Sequence, residues 1–349
     1  MEQLPLPAFD STSTDRTRKT LQLAVFGTCA AWFVSSEMLA ARAARGIANR
    51  FDFDAGQLLL SSIFLLFLLT IGFSLLNTIA HRYGSLRDVL GLPKRATARE
   101  EWVIGAALGW GIVILAVLPM ALAGTLSVRL SLTPHAVRLV FLNLATLAIA
   151  ALAEEVAFRG YPFRSLISAV GPTSATIIMA LLFGVVHMLN EDATWISVFI
   201  TVLAGVLLSL GWLRTHGLWL PWGLHFAWNA SMGILFGLPV SGITDFSSVV
   251  RTRALGPHWL TGGYYGPEAA LFTIVAIVVG IVVLVRLTGD YAWNYTHTPI
   301  VAGGYPMDAQ PPAEHTAMEK QARPAPLVQI LPTTSQSRSV GDEPLNPES

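Results

Sequence analysis

Eight apolar stretches, each close to the length that crosses a bilayer, constrain this chain more than any other feature: residues 21–40, 57–80, 102–124, 137–158, 172–190, 195–213, 218–237 and 268–287. A helix needs about 20 such residues to traverse the hydrocarbon interior. The composition agrees: 53% of residues are hydrophobic and 13% charged, and mean hydropathy is +0.56, far from the balance of soluble domains. The expected fold is all-α, a polytopic membrane bundle of about eight transmembrane helices over 21–288. A short cytoplasmic segment, 1–20, precedes it, and 289–349, rich in Pro, Ser and Thr, reads as a disordered tail.

Charge narrows the function classes. Lys+Arg and Asp+Glu both total 22, which leaves no basic footprint for nucleic acid. The one cysteine, Cys29, lies in an apolar run and reads as a packing residue. No small-residue cleavage site follows the first apolar run, so that run is expected to stay as a membrane helix. Between the second and third helices a basic connector holds Arg82, Arg87, Lys94, Arg95 and Arg99. Within it Ser85 to Leu92 reads as a short interfacial helix stopped by Pro93. Arg16, Arg18, Lys19, Arg159, Arg164, Arg214 and Arg286 fall on the same side of the membrane as that connector. Arg42, Arg45, Arg50, Arg129, Arg138, Arg251 and Arg253 fall on the other. The bias places both termini in the cytoplasm, and the Ala, Leu and Arg usage with compact loops points to a bacterial inner membrane.

Polar groups at membrane depth are costly and turn toward a cavity or a partner. Glu154, Glu155 and Arg159 close the fourth apolar stretch, His187 ends the fifth, and His225 and Asn229 lie in the seventh. On a helix Glu155 and Arg159 share a face in ion-pairing order, whereas Glu154 points about 100° away. His225 and Asn229 share a face in the same manner. With a turn at Gly171-Pro172, Glu154 and His187 each lie roughly 22 to 26 Å from it, which brings them level in an antiparallel hairpin. Pro162 is the position at which that count is interrupted. The residue types suit amide hydrolysis: Glu154 with His187 to activate water, His225 with Asn229 to hold an oxyanion.

In order along the chain, Glu154-Glu155-x-x-x-Arg159, Phe183-x-x-x-His187 and His225-x-x-x-Asn229 resemble the motifs of the CAAX prenyl protease type II and bacteriocin-processing (CPBP, or Abi) family of intramembrane proteases. The resemblance runs from about 85 to 236. It implies that Glu154 and His187 activate water, Glu155 and Arg159 support the site, and His225 and Asn229 stabilise the oxyanion. Glu154, His187 and His225 also compose a His₂Glu set for Zn²⁺ with one open position. Such proteases are described both as metal-dependent and as glutamate-dependent, and the residues leave both open. The implied partners are the bilayer and a peptide or protein substrate at the membrane, with or without a lipid anchor, in a cavity expected to open toward the cytoplasm.

Each position has a plainer reading: an ion pair at a helix end for Glu155 and Arg159, interhelical hydrogen bonds for His187 and Asn229. Trp212, Trp219, Trp222 and Trp228 read as an interfacial aromatic belt. Two rival functions use the same residues, a proton-coupled transporter and a non-proteolytic membrane scaffold or immunity protein. His-Glu-x-x-His, Gly-x-Ser-Gly and Gly-x-Gly-Asp motifs are absent from the sequence, which disfavours other intramembrane hydrolases.

Overall fold

The computed structural model describes residues 11–80 and 85–289. The expected tail, from 290 onward, and the first ten residues lie outside them. Residues 11–20, expected to precede the bundle, instead begin its first helix, α1 (Ser11–Phe51). There follow α2 (Gln57–Ile79), α3 (Leu86–Leu90), α4 (Ala98–Leu122), β1 (Leu126–Leu130), α5 (Pro134–Arg159), α6 (Tyr161–Val170), α7 (Pro172–His187), α8 (Trp195–Thr215), α9 (Trp219–Ala230), β2 (Val250–Ala254), α10 (His258–Thr261) and α11 (Leu271–Leu287). A π-helical turn, Ser231–Leu235, prolongs α9. The bundle is all-α apart from the antiparallel β1–β2 ribbon, which ties two connectors together.

Five segments have the length and apolarity to cross a bilayer unaided: 16–51, 54–79, 98–122, 134–170 and 195–215. Shorter are α7 and α11, at 16 and 17 residues, and α9, at 12. Local chemistry sets the ends. Thr133 caps α5 by accepting from the Ala136 amide, with Pro134 in the first turn. At the other end Gly160 interrupts the helix, and α6 restarts at Tyr161 with Pro162 in its first turn. Pro lacks the N–H that would continue the ladder. The fourth apolar stretch is thus a broken helix. Gly171, with φ 83°, then makes the turn into α7, a conformation open to glycine at little cost. The expected interfacial helix is α3, capped by a reciprocal Ser85–Asp88 box and closed by Gly91 in the left-handed region.

The closest helix pair is α4 with α9. A Cβ on Gly105 would lie 2.1 Å from the Leu220 carbonyl oxygen, one on Gly109 2.2 Å from that of Leu224, and one on Gly223 2.2 Å from that of Trp102. Small residues allow such backbone approach where lipid offers no hydrophobic force between helices. Indole N–H groups brace α9 further: Trp219 donates to the Pro93 carbonyl at 3.0 Å and Trp222 to that of Ala148 on α5 at 2.9 Å. The expected aromatic belt is corrected at two positions, since Trp212 and Trp228 are buried inside the bundle. Trp219 and Trp222 are half-buried, one donating to a connector and one to α5.

Gly223→Ala is therefore expected to push α9 from α4 and lower stability by about 1–3 kcal/mol. Gly111→Ala, on the same α4 but with nothing within 4 Å of its added Cβ, should leave the thermal midpoint in detergent unchanged. Equal midpoints for the two variants would contradict this packing.

Candidate active site

Close packing of α9 sets the depth of His225, which meets the last turns of α5. Glu155 and Arg159 are wholly buried there, with Arg159 Nη1 3.2 Å from Glu155 Oε1. Arg159 Nη2 donates to the Gly205 carbonyl of α8 at 3.3 Å, and its guanidinium lies over the Phe183 ring at 4.4 Å from the centroid. Gly205 permits this contact, since a Cβ there would stand 2.9 Å from the Ala180 Cα of α7. Three helices therefore converge on one cation. His225 Nδ1 lies 2.8 Å from Glu155 Oε1, and with the carboxylate accepting, the ring donates from Nδ1. Its Nε2 is then the nitrogen that faces outward, 3.7 Å from Glu154 Oε2.

Glu154 points where its helical offset requires, away from Glu155 and into a cavity of about 640 Å³. Its Oε2 is buried and takes no hydrogen bond among the described residues. His187, Asn229 and His225 line the same cavity. The His187 ring packs on Phe183, with centroids 4.4 Å apart, and its Nδ1 lies 2.8 Å from the Phe183 carbonyl oxygen. A carbonyl can only accept, so Nδ1 carries the proton and Nε2 keeps its lone pair. Of the six residues singled out in the sequence, four line one cavity, and Glu155 with Arg159 stand behind it.

Among the described residues no group of three His, Cys, Asp or Glu is placed to hold a metal ion. Glu154 Oε2 and His225 Nε2 lie 3.7 Å apart, and His187 keeps its Nε2 lone pair. Lining residues outside the helices, among them Asn190, Ser241, Ile243 and Phe246, come from the connectors on the β1–β2 side, and the described residues of the α3 connector and of α6 contribute none.

Two further carboxylates line the cavity that the motifs did not indicate, Glu37 of α1 and Glu268. The signal for Glu37 was present, a lone acid inside an apolar run. Glu268 had none, because it lies in a Gly-rich connector and acquires its role by folding. It accepts from the Trp228 indole at 2.8 Å and from the Ser241 hydroxyl at 2.8 Å, and the Ser241 amide also donates to it. Beside it, burial and the Glu268 charge push the Tyr265 phenol up to about 12, so that group stays neutral. Glu268 thus pins the connector to the turn of α9 that carries Asn229.

The fold and cavity define a polytopic helical membrane protein with an interior cluster of acids and imidazoles. Residues 136–231 match the family model described as Type II CAAX prenyl endopeptidase Rce1-like, and this region contains all six motif positions. The match is narrower than the 85–236 expected from the motifs. No curated protein and no solved structure matches the chain.

Removing one member of a buried ion pair strands the other. Arg159→Met is expected to cost about 3–5 kcal/mol, read as a lowered unfolding midpoint in detergent, and Glu155→Gln added to it should recover part of that loss. A single Arg159→Met variant as stable as the parent would remove the pair from this role.

Proposed function

We propose that this chain is an intramembrane endopeptidase that hydrolyses a peptide bond of a membrane-associated polypeptide. The observation that carries the reading is the shared cavity. Glu154, His187, His225 and Asn229, drawn from α5, α7 and α9, line one space, and His225 is held from behind by Glu155 and Arg159.

The chemistry follows from the atoms that face inward. Glu154 Oε2, buried and without a hydrogen bond, accepts a proton from water as that water attacks the scissile carbonyl carbon. His187 offers the Nε2 lone pair as a second acceptor. The developing oxyanion lies against donors on α9, the Asn229 amide and His225 when its Nε2 is protonated. As the tetrahedral species collapses, the C–N bond breaks and the proton held by Glu154 passes to the leaving amine. Low polarity around the cavity strengthens each of these contacts relative to water. Among the described residues no three His, Cys, Asp or Glu donors group for a metal ion, and each step is assigned to the chain's own residues.

Cation distribution supports both termini and the α3 connector in the cytoplasm, and the Ala, Leu and Arg usage with compact loops supports a bacterial inner membrane. The connector-lined end of the cavity, on the β1–β2 side, then faces outward. CAAX processing as such has no separate support in the site, because no lining residue identifies a prenyl group.

Glu154→Gln keeps shape and removes the base, so cleavage should fall by about 10²–10⁴-fold with the unfolding midpoint unchanged. Parent protein treated with a chelator should keep its rate. Parental cleavage by the Gln variant would refute the assigned base, and chelator-sensitive cleavage restored by Zn²⁺ would refute the metal-free route. Orientation is tested separately with Ser241→Cys, the native Cys29 being buried. A membrane-impermeant maleimide should label intact cells. Labelling only after permeabilisation would reverse the topology.

A further inference from the structure

A second recess, about 720 Å³, opens beside the proposed catalytic cavity, and its wall is the β1–β2 ribbon. Leu58, Thr146 and Phe246 line both spaces, so the two adjoin. Arg129, Arg251 and Arg253 line the recess. Arg129 and Arg251 are direct cross-strand partners, and Arg253, opposite Ser127, lies two residues further along the same face.

That pattern is costly as it stands. Like charges directly opposite each other weaken a two-stranded ribbon, and a ribbon this short has little else to hold it. Asp54 and Asp245 also line the recess, yet among the described residues none of the three arginine side chains makes an ion pair or hydrogen bond. Three unpaired guanidinium groups on one face form a fork suited to carboxylates, which each can bind through two parallel N–H donors.

The adjoining cavity has the opposite character. Glu37, Glu154 and Glu268 line it, and no Lys or Arg does. An anionic segment is repelled from the catalytic space and attracted to the recess, which fixes which end of a bound polypeptide goes where. We infer that the three-arginine recess is a substrate subsite that binds carboxylates of an acidic segment, side-chain or chain-terminal, on one side of the scissile bond. This rests on the endopeptidase reading for its place in the reaction, though not for its chemistry. Thr146 and Glu154 are eight residues apart on α5, about 12 Å. The acidic group is therefore about four extended residues or more from the cleaved bond.

The test separates binding from cleavage. Full-length Glu154→Gln protein in nanodiscs of phosphatidylcholine alone is titrated with two decapeptides that carry a neutral dye, one with three consecutive glutamates and one with glutamines in their place. The acidic peptide should bind about tenfold more tightly at low salt. Adding Arg129→Gln, Arg251→Gln and Arg253→Gln should abolish that preference without lowering the unfolding midpoint, since the repulsion across the ribbon goes too. Should the triple variant misfold, Arg251→Gln alone should reduce the preference several-fold. Equal binding of the two peptides, or a preference that survives the arginine changes, overturns the proposal. So does a preference seen only when phosphatidylglycerol is present, which would make the recess a lipid headgroup site. Loss of cleavage in parent protein that still prefers the acidic peptide would overturn the peptidase reading and leave the subsite standing.

Discussion

Arg159 is a full positive charge with no exposed surface in the middle of a helix bundle. Taking such a group out of water costs several kcal/mol, and the cost is recovered only with good geometry and further hydrogen bonds. Here Glu155, the Gly205 carbonyl and the Phe183 face supply it. The consequence for the site is positional. Glu155 can accept from His225 because Arg159 keeps that carboxylate in place from the far side, so one buried cation fixes an imidazole on a helix about 70 residues away. Glu154, the neighbour in sequence, remains outside this chain of bonds and lines the cavity, which Glu155 does not. Two adjacent carboxylates thus separate into a support and a reactive group by nothing more than the angular step of the helix.

That arrangement works only if α5, α7, α8 and α9 approach closely enough, and glycine decides this. Gly205 lets α8 reach α7 at the level of Arg159, while Gly105, Gly109 and Gly223 bring α4 and α9 backbone to backbone. Indole donors then fix the sliding and rotation that smooth helix surfaces leave free, Trp222 toward α5 and Trp228 toward Glu268. Position along α9 is what matters for His225 and Asn229, since one residue of slip displaces a side chain by about 1.5 Å along the axis and 100° around it.

Electrostatic character divides the interior from the rim. The cavity holds carboxylates and imidazoles with no lining Lys or Arg, while the ribbon beside it carries three arginines. In a medium of low dielectric such separation persists over longer distances than it would in water. A polypeptide with uneven charge meets a preferred direction as it enters.

The amino-acid sequence alone determined the all-α membrane class, because apolar stretches of spanning length have few other fates. It also determined which polar residues share a helix face, Glu155 with Arg159 and His225 with Asn229. Glu154 and His187 line one cavity, although the fourth apolar stretch is broken at Gly160. The Gly-x-x-x-Gly spacing of Gly105 and Gly109 is present in the sequence, but which helix they meet is not. Only the tertiary structure decided that Trp212 and Trp228 lie inside the bundle, that Glu268 joins the site, and that connectors on the ribbon side line the cavity. Those facts depend on how helices rotate and how distant connectors fold back, and helical periodicity within one segment carries no information about the azimuth of its neighbour.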